Sequence, residues 1–476
     1  MCRTEKSVTI NTTGGNVTDN VTKTKPYKKE KDIMKIKKLV ALTLTGLLAL
    51  GVFTACSSKK DDKGSVYYLN FKPEVAEQWE EIAKQYTEAT GVEVKVVTAA
   101  SGGYESTLKS EVAKKNPPTL FQINGPVGYQ SWKDYCLDLS DTELYKNLSD
   151  KGLAVTDGDG VYGIPYVVEG YGIIYNNAIM EEYFALADKA VSISSAEEIK
   201  DFDTLKAVVE DMTAKKEVLG IEGAFSSTSF APGEDWRWQT HLANVPVYYE
   251  YQADGVADKN DLDFAYAENY KNIFDLYLNN SVTAPGLIGS KTVEDSMAEF
   301  ALGKSALVQN GNWGWGQISG VTGNIVKEED VRFLPIYTGM PDDQQQGLCI
   351  GTENFFCVNS KVSEADQKAT IDFVNWLTTS EEGKSYMTND LGFISPFSTF
   401  SENEQPSDPL ALEIVKSMND NSQVSVTWNF TTFPSQAFKD SFGANLLQYA
   451  QGNKEWDAVV SEMKADWATE KAAMAE

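Results

Sequence analysis

The stretch from Val66 to Thr98 does most to restrict what this chain can fold into. Val66 to Phe71 (VYYLNF) is a short run of aliphatic and aromatic residues, a strand pattern. Pro73 to Thr90 then sets Val75, Trp79, Ile82 and Tyr86 at helical spacing, and Gly91 stops the helix. Val92 to Thr98 (VEVKVVT) returns to strand. A strand, a helix and a strand in this order predict a parallel pair with a crossover helix, hence an α/β fold. The full 476 residues exceed what one core organises, so two or more domains or lobes are expected. Asn116-Pro117-Pro118 breaks the next helix before a third strand ending at Ile123. Asn70, Phe71, Gln122, Asn124 and Gly125 therefore fall at the carboxyl ends of strands, where open α/β sheets bind ligands.

The N-terminus bears on location. Met34 to Lys38 is basic, and a 15-residue apolar run from Leu39 to Phe53 follows. That run is too short to span a bilayer and has the proportions of a signal peptide. It ends Phe53-Thr54-Ala55-Cys56-Ser57-Ser58, which resembles the bacterial lipobox, although Phe53 stands where Leu is usual. The resemblance implies that Cys56 is diacylated and becomes the new N-terminus; the alternative is an ordinary secretory signal beside an incidental cysteine. Two acyl chains anchor stably where one does not. Residues 1–33 read as an upstream extension before a start at Met34, residues 34–55 as the lipoprotein signal peptide, and 56–64 as a polar tether. The expected location is the outer face of the bacterial cytoplasmic membrane.

Charge and cysteine content exclude several classes. The net charge is −27, yet ten of the 42 basic and four of the 69 acidic residues lie in 1–55. Residues 56–476 thus keep 32 basic and 65 acidic groups, a net of −33, which repels nucleic acid. With Cys2 in the leader and Cys56 lipidated, Cys136, Cys349 and Cys357 remain. They form no C-x-x-C and no disulfide framework, so three buried thiols are expected, with at most one bridge. His241 is the single histidine, which argues against a metal site and against Ser/His or Cys/His hydrolase chemistry. No metal and no cofactor are expected.

Three segments suggest binding. In residues 293–316, Val293, Met297 and Phe300 mark a helix stopped by Gly303, and Ser305 to Val308 a strand. Gln309-Asn310-Gly311-Asn312 then reads as a turn that delivers Trp313 and Trp315 among glycines. Flat indoles beside amide donors suit a sugar ring, with its apolar C–H faces and rim of hydroxyls; the alternative is a pair of core wedges. Residues 161–177 contain a Tyr-Gly-Ile-Pro turn, an extended apolar segment with Glu169 and Tyr171, and a closing Tyr175-Asn176. Glu234-Asp235-Trp236-Arg237-Trp238 is a second aromatic cluster, with one of its two indoles assigned to the core, and Trp428 a third aromatic position.

The order helix, Gly-Lys, strand, Asn-Gly, Trp in 293–315, together with 161–177, resembles extracellular solute-binding proteins of the maltose-binding type (family 1). The resemblance implies a periplasmic-binding-protein-like α/β fold, with two lobes around a cleft and a three-segment hinge. It places crossings at 161–177, Val331–Pro335 and Leu391–Pro396, so that lobe 1 comprises 65–168 plus 334–391 and lobe 2 comprises 169–333 plus 392–476. It also implies that Glu169 presents a carboxylate to sugar hydroxyls and that a monomer delivers a carbohydrate, expected to be an oligosaccharide, to an ABC permease. The ligand-binding set is then Asn70, Phe71, Gln122, Asn124, Glu169, Tyr171, Trp236, Trp238, Asn310, Trp313, Trp315 and Trp428. Rival readings are a secreted carbohydrate-active enzyme, which needs paired acids facing one bond, a polyamine or peptide receptor using cation–π contacts, and a surface adhesin.

Overall fold

The computed structural model describes residues 63–401 and 403–475; Cys56 and the whole leader lie outside them. The strands are β1 (Ser65–Asn70), β2 (Glu93–Thr98), β3 (Leu120–Ile123), β4 (Val155–Asp157), β5 (Gly160–Pro165), β6 (Glu169–Asn176), β7 (Leu307–Gly311), β8 (Val331–Leu334), β9 (Gln346–Gly351), β10 (Phe355–Val358) and β11 (Val424–Thr427). They divide between two sheets. The first runs β2-β1-β3-β10-β5-β4, and the second β11-β9-β6-β7 with β8 also on β6.

Sheet 1 grows from the opening strand–helix–strand unit. β1 pairs in parallel with β2 along its whole length, from Ser65 with Glu93 to Asn70 with Thr98. The crossover helix Ala76–Thr90 buries Trp79, Ile82, Ala83 and Tyr86. Gly91 caps it with φ +72°, a backbone region that glycine enters without steric cost. Helix Glu364–Thr379 packs on the same core through Phe373, Val374 and Leu377.

Sheet 2 is centred on β6, whose eight residues are all buried. β7 lies antiparallel along one edge of β6, while β8 and β9 share the other. That crowding needs glycine at 172: a Cβ there would lie 2.5 Å from the Leu334 carbonyl oxygen and 2.8 Å from a Leu348 methyl. Helix Val293–Ala301 covers this sheet and opens with a capping box between Thr292 and Asp295. Helix Phe202–Ala214 starts where Asp201 caps it by accepting from the Thr204 N–H at 2.8 Å. β7 extends to Gly311, so Asn310 and Gly311 are strand residues, and the turn begins at Asn312.

Three passages connect the sheets and lie side by side. Tyr166 N–H donates to the Asn354 carbonyl at 3.2 Å, and Val168 N–H to that of Ile394 at 2.8 Å. The first passage joins β5 to β6 and the third runs near Ile394. The second is at Thr352–Asn354, between β9 in sheet 2 and β10 in sheet 1, and not at Val331–Pro335. β8 stays with β6 because Val331 and Phe333 are buried in the same apolar cluster as Ile174. Cys136, Cys349 and Cys357 are free and buried.

Replacing Gly172 by alanine should lower unfolding stability by about 1–3 kcal/mol, the usual cost of overpacking against backbone that cannot yield. Chemical denaturation of the two proteins measures it, and an unchanged midpoint would refute the crowding argument.

Candidate functional site

The passages carry a chain of buried polar groups. Asn70, at the end of β1, clamps the next turn: its Oδ1 accepts from the Lys72 N–H at 3.0 Å and its Nδ2 donates to the Lys72 carbonyl at 2.8 Å. Lys72 Nζ then donates to Glu169 Oε1 at 2.7 Å. Asn354 Nδ2 donates to Glu169 Oε2 at 2.7 Å, Gln122 Nε2 to Asn354 Oδ1 at 2.9 Å, and Tyr166 OH to Gln122 Oε1 at 2.6 Å. Glu169 is therefore not the open carboxylate expected from the sequence, since both oxygens are engaged by protein donors. Gln122 and Asn70 belong to the same network and orient it.

Burial alone would lower the Lys72 pKa, but Glu169 and Glu74 more than offset it, so the net shift is upward. Burial raises the Glu169 pKa, and the pull of Lys72 offsets this only in part. A 2.7 Å contact plus an amide donor on the second oxygen fits the ionised pair.

Beside this network lies an aromatic nest. His241 stacks flat on Tyr171, with ring centroids 4.3 Å apart and planes 6° apart, and meets the edge of Trp236 at 4.9 Å. Trp313 lies 5.6 Å from His241, 6.0 Å from Trp236 and 6.5 Å from Trp428. Phe430 closes the group at 5.2 Å from His241 and 4.9 Å from Trp428. Trp236 precedes a π-helical turn, Arg237–Leu242, whose i, i+5 alignment brings Trp236 and His241 onto one side. The Arg237 guanidinium lies over the Trp236 ring at 4.0 Å. Lys72 Nζ is 5.9 Å from the Trp313 ring, so the ion pair borders the nest.

Not every predicted residue faces it. Trp238 is 4% exposed and packs among Phe230, Phe274 and Tyr277 in the core of the sheet 2 half, its Nε1 donating to the Ser229 carbonyl at 2.9 Å. Trp315 packs on the separate cluster of Val293, Met297 and Phe300. Asn310 is buried, with Nδ2 directed at Met297 Sδ and Gln317 and Oδ1 accepting from the Gly311 N–H. Trp238 and Asn310 are structural, because both are buried in the interior, whereas Trp315 is half-buried against its cluster. Tyr171 is covered by His241 and donates to its carbonyl at 2.9 Å, so it supports the nest from beneath. Phe71 is half-buried against Tyr104 at 5.3 Å. Trp236, Trp313 and Trp428 come together as neighbours, and Trp428 Nε1 and Asn124 Oδ1 are buried without a hydrogen-bond partner.

Two close approaches bring the halves together around the nest. A Cβ on Gly102 would lie 2.9 Å from the Gly233 carbonyl, and one on Gly125 3.0 Å from the Thr431 Cβ. Gly102 and Gly125 follow strands of sheet 1, whereas Gly233 and Thr431 adjoin Trp236 and Trp428. The nest is thus shut between lips that touch.

Sequence reasoning missed Lys72, Arg237, His241, Phe430, Glu353 and Lys439. Arg237 and His241 stood in view as the arginine of W-R-W and the single histidine, but no periodicity says that they share a pocket. Burial, with Arg237, Lys439 and Lys72 nearby, drives the His241 pKa well down, so its imidazole is neutral. Burial pushes Glu353 up to about 7, with Lys439 pulling the other way, and pushes Arg237 down to about 9. Among the described residues no cluster of acids, histidines or cysteines could hold a metal, and no helix is long and apolar enough to cross a membrane.

Two α/β halves, joined by three adjacent passages and meeting over an aromatic nest, define a hinged receptor. Residues 81–413 match the family described as "Bacterial extracellular solute-binding protein", and the chain belongs to that family. Its fold is similar to that of RafE, a solute-binding protein solved with raffinose, at TM-score 0.65 and 18% identity over 86% of this chain and 99% of that one. A chitin oligosaccharide binding protein gives 0.66 and 17%, covering 86% and 100%. The maltose-bound T. maritima MalE3 gives 0.64 and 14%, covering 85% and 99%. No curated protein matches the chain.

Two outcomes are expected. Lys72→Met should cost about 3–5 kcal/mol, because it leaves the Glu169 charge buried alone; the denaturation midpoint reports it, and a neutral result would show that Glu169 is not ionised. Glu353 is raised in the fold from 4.5 to about 7, so the unfolded chain loses this proton first as pH rises. Its contribution to stability is present below about pH 4.5 and lost between there and about 7. Glu353→Gln should therefore flatten the fall in melting temperature across that window, and an identical pH profile would refute the shift.

Proposed function

We propose that this protein captures a carbohydrate, an oligosaccharide in particular, outside the cell and hands it to an ABC-type importer. One observation carries this reading: the half-buried Trp236 and Trp313 converge beside the buried Trp428, with Trp428 Nε1 and Asn124 Oδ1 unpartnered, between two halves whose lips meet. Indole faces take the C–H side of a sugar ring, and the polar groups take its hydroxyls. The names of the similar structures, which include raffinose, chitin oligosaccharide and maltose, support the same class of guest. Capture follows from the hinge. A guest that touches both halves binds the closed form better than the open one and shifts the population toward it.

The anchoring reading comes from the sequence: the lipobox-like Phe53–Cys56 would tether a monomer, by two acyl chains, to the outer face of the membrane. No catalytic role is assigned. Glu169, the acid nearest Trp313 through Lys72, has both oxygens engaged, which disfavours the paired-acid chemistry of a glycosidase. A polyamine guest is disfavoured by the three cations whose fields meet at His241.

Calorimetry and thermal shift against an oligosaccharide panel test the proposal, since a bound ligand raises the melting temperature by mass action. Trp313→Ala should weaken sugar binding by about 30-fold or more, the scale of losing an anchor worth ~2 kcal/mol. The melting temperature of the unliganded protein should hardly move. Retained affinity with a large loss of stability would make Trp313 a core residue and remove the chemical basis of the reading.

A further inference from the structure

Arg237 is 2% exposed, and neither its Nη1 nor its Nη2 has a hydrogen-bond partner. Its guanidinium carbon lies 4.0 Å from the centre of the Trp236 ring, at the edge of the nest. Gln309 Nε2 donates to the Arg237 carbonyl at 2.9 Å, and the Gln309 Oε1 is likewise buried without a partner. A planar cation with two open donors, shut away from water, is costly unless something accepts from both.

Among the described residues no carboxylate of the protein forms an ion pair with Arg237. Glu234 and Glu74 are the acids whose fields reach Arg237. Glu234 Oε2, however, accepts from the Val293 N–H at the start of its helix at 3.2 Å, and Glu74 lies 3.5 Å from Lys72 Nζ. Lys72 is paired with Glu169, and Lys439 feels Glu353, Glu105 and Asp440. Arg237 forms no ion pair among the described residues, and of the cations around His241 it is the one that is 2% exposed with both terminal nitrogens unpartnered. The charges that act on His241 are those of Arg237, Lys439 and Lys72, and of these Lys72 is already paired with Glu169. Sugar hydroxyls could accept from the two nitrogens, but they would leave the buried charge uncompensated. A carboxylate matches the fork and the charge together.

We infer that the guest is an acidic sugar, an oligosaccharide carrying a carboxylate as in a uronic acid unit, whose two oxygens meet Nη1 and Nη2 of Arg237. The inference rests on the carbohydrate reading and narrows it. The acid-bearing ring lies against Trp236 and Trp313, and neutral neighbouring units extend toward Trp428.

Calorimetry on the full mature chain compares uronate-containing oligosaccharides with their methyl esters, which keep the shape and remove the charge. Neutral oligosaccharides and a sulfated disaccharide complete the panel. The free acid should bind at least about tenfold tighter than its ester. Arg237→Gln should abolish the acid-over-ester preference, and Arg237→Lys should keep part of it. If either variant fails to fold, the acid-to-ester ratio of the wild-type protein decides alone. Esters or neutral sugars binding as tightly as the acid would overturn the inference while leaving the carbohydrate reading intact. A preference confined to the sulfated sugar would overturn the carboxylate assignment. Failure of every sugar, charged or neutral, to bind would remove both.

Discussion

The ion pair between Lys72 and Glu169, 2.7 Å long and buried at both ends, sits where the chain first leaves one sheet for the other. Removing two charges from water costs several kcal/mol each, and only good geometry with further hydrogen bonds offsets it. Asn354 supplies the further bond to Glu169, and Asn354 is itself on the second passage. Gln122 and Tyr166 hold Asn354 in turn, and Asn70 holds the Lys72 backbone. One connected set of polar groups therefore links β1, β3 and two of the three passages. Such a set contributes little net stability for its size. It specifies one arrangement, because a slipped passage would leave a charge alone in the interior.

The same pair sets the boundary of the binding region. Lys72 comes from the sheet 1 half, and Trp313, which it approaches at 5.9 Å, from the other. The nest itself belongs to the sheet 2 half: Trp236 precedes a π-helical turn that contains His241, Trp313 follows β7, and Trp428 follows β11. Gly351 lets Trp428 approach β9, since a Cβ there would lie 2.5 Å from the indole Cγ. One half thus presents aromatic faces, while the other supplies a rim of polar and charged groups. A hinge of adjacent strands allows the two to part and meet without disturbing either core.

Electrostatics separates the site from its surroundings. The chain as a whole is strongly acidic, but the charges that reach the centre of the nest are cationic. The acids beside it are paired, hydrogen-bonded or, in Glu353, pushed toward neutrality by burial. A count of residues therefore cannot report which charges act on the nest.

Much of the architecture was legible in the residues. The opening strand–helix–strand unit, the helix around 293–301 and the indole after β7 all follow from periodicity, caps and glycines, which act within a few residues. The second passage was not legible, because β8, β9 and β10 are all short apolar strands and nothing local says which sheet each joins. Nor was the fate of Glu169, whose partner Lys72 is 97 positions away, or the choice between Trp236 and Trp238. The sequence by itself determined the α/β class, the acidic exterior and the segments that carry aromatic residues. Only the tertiary structure decided which rings face the gap, which charges cancel and that Arg237 is left over, because those outcomes depend on contacts between residues far apart in the chain.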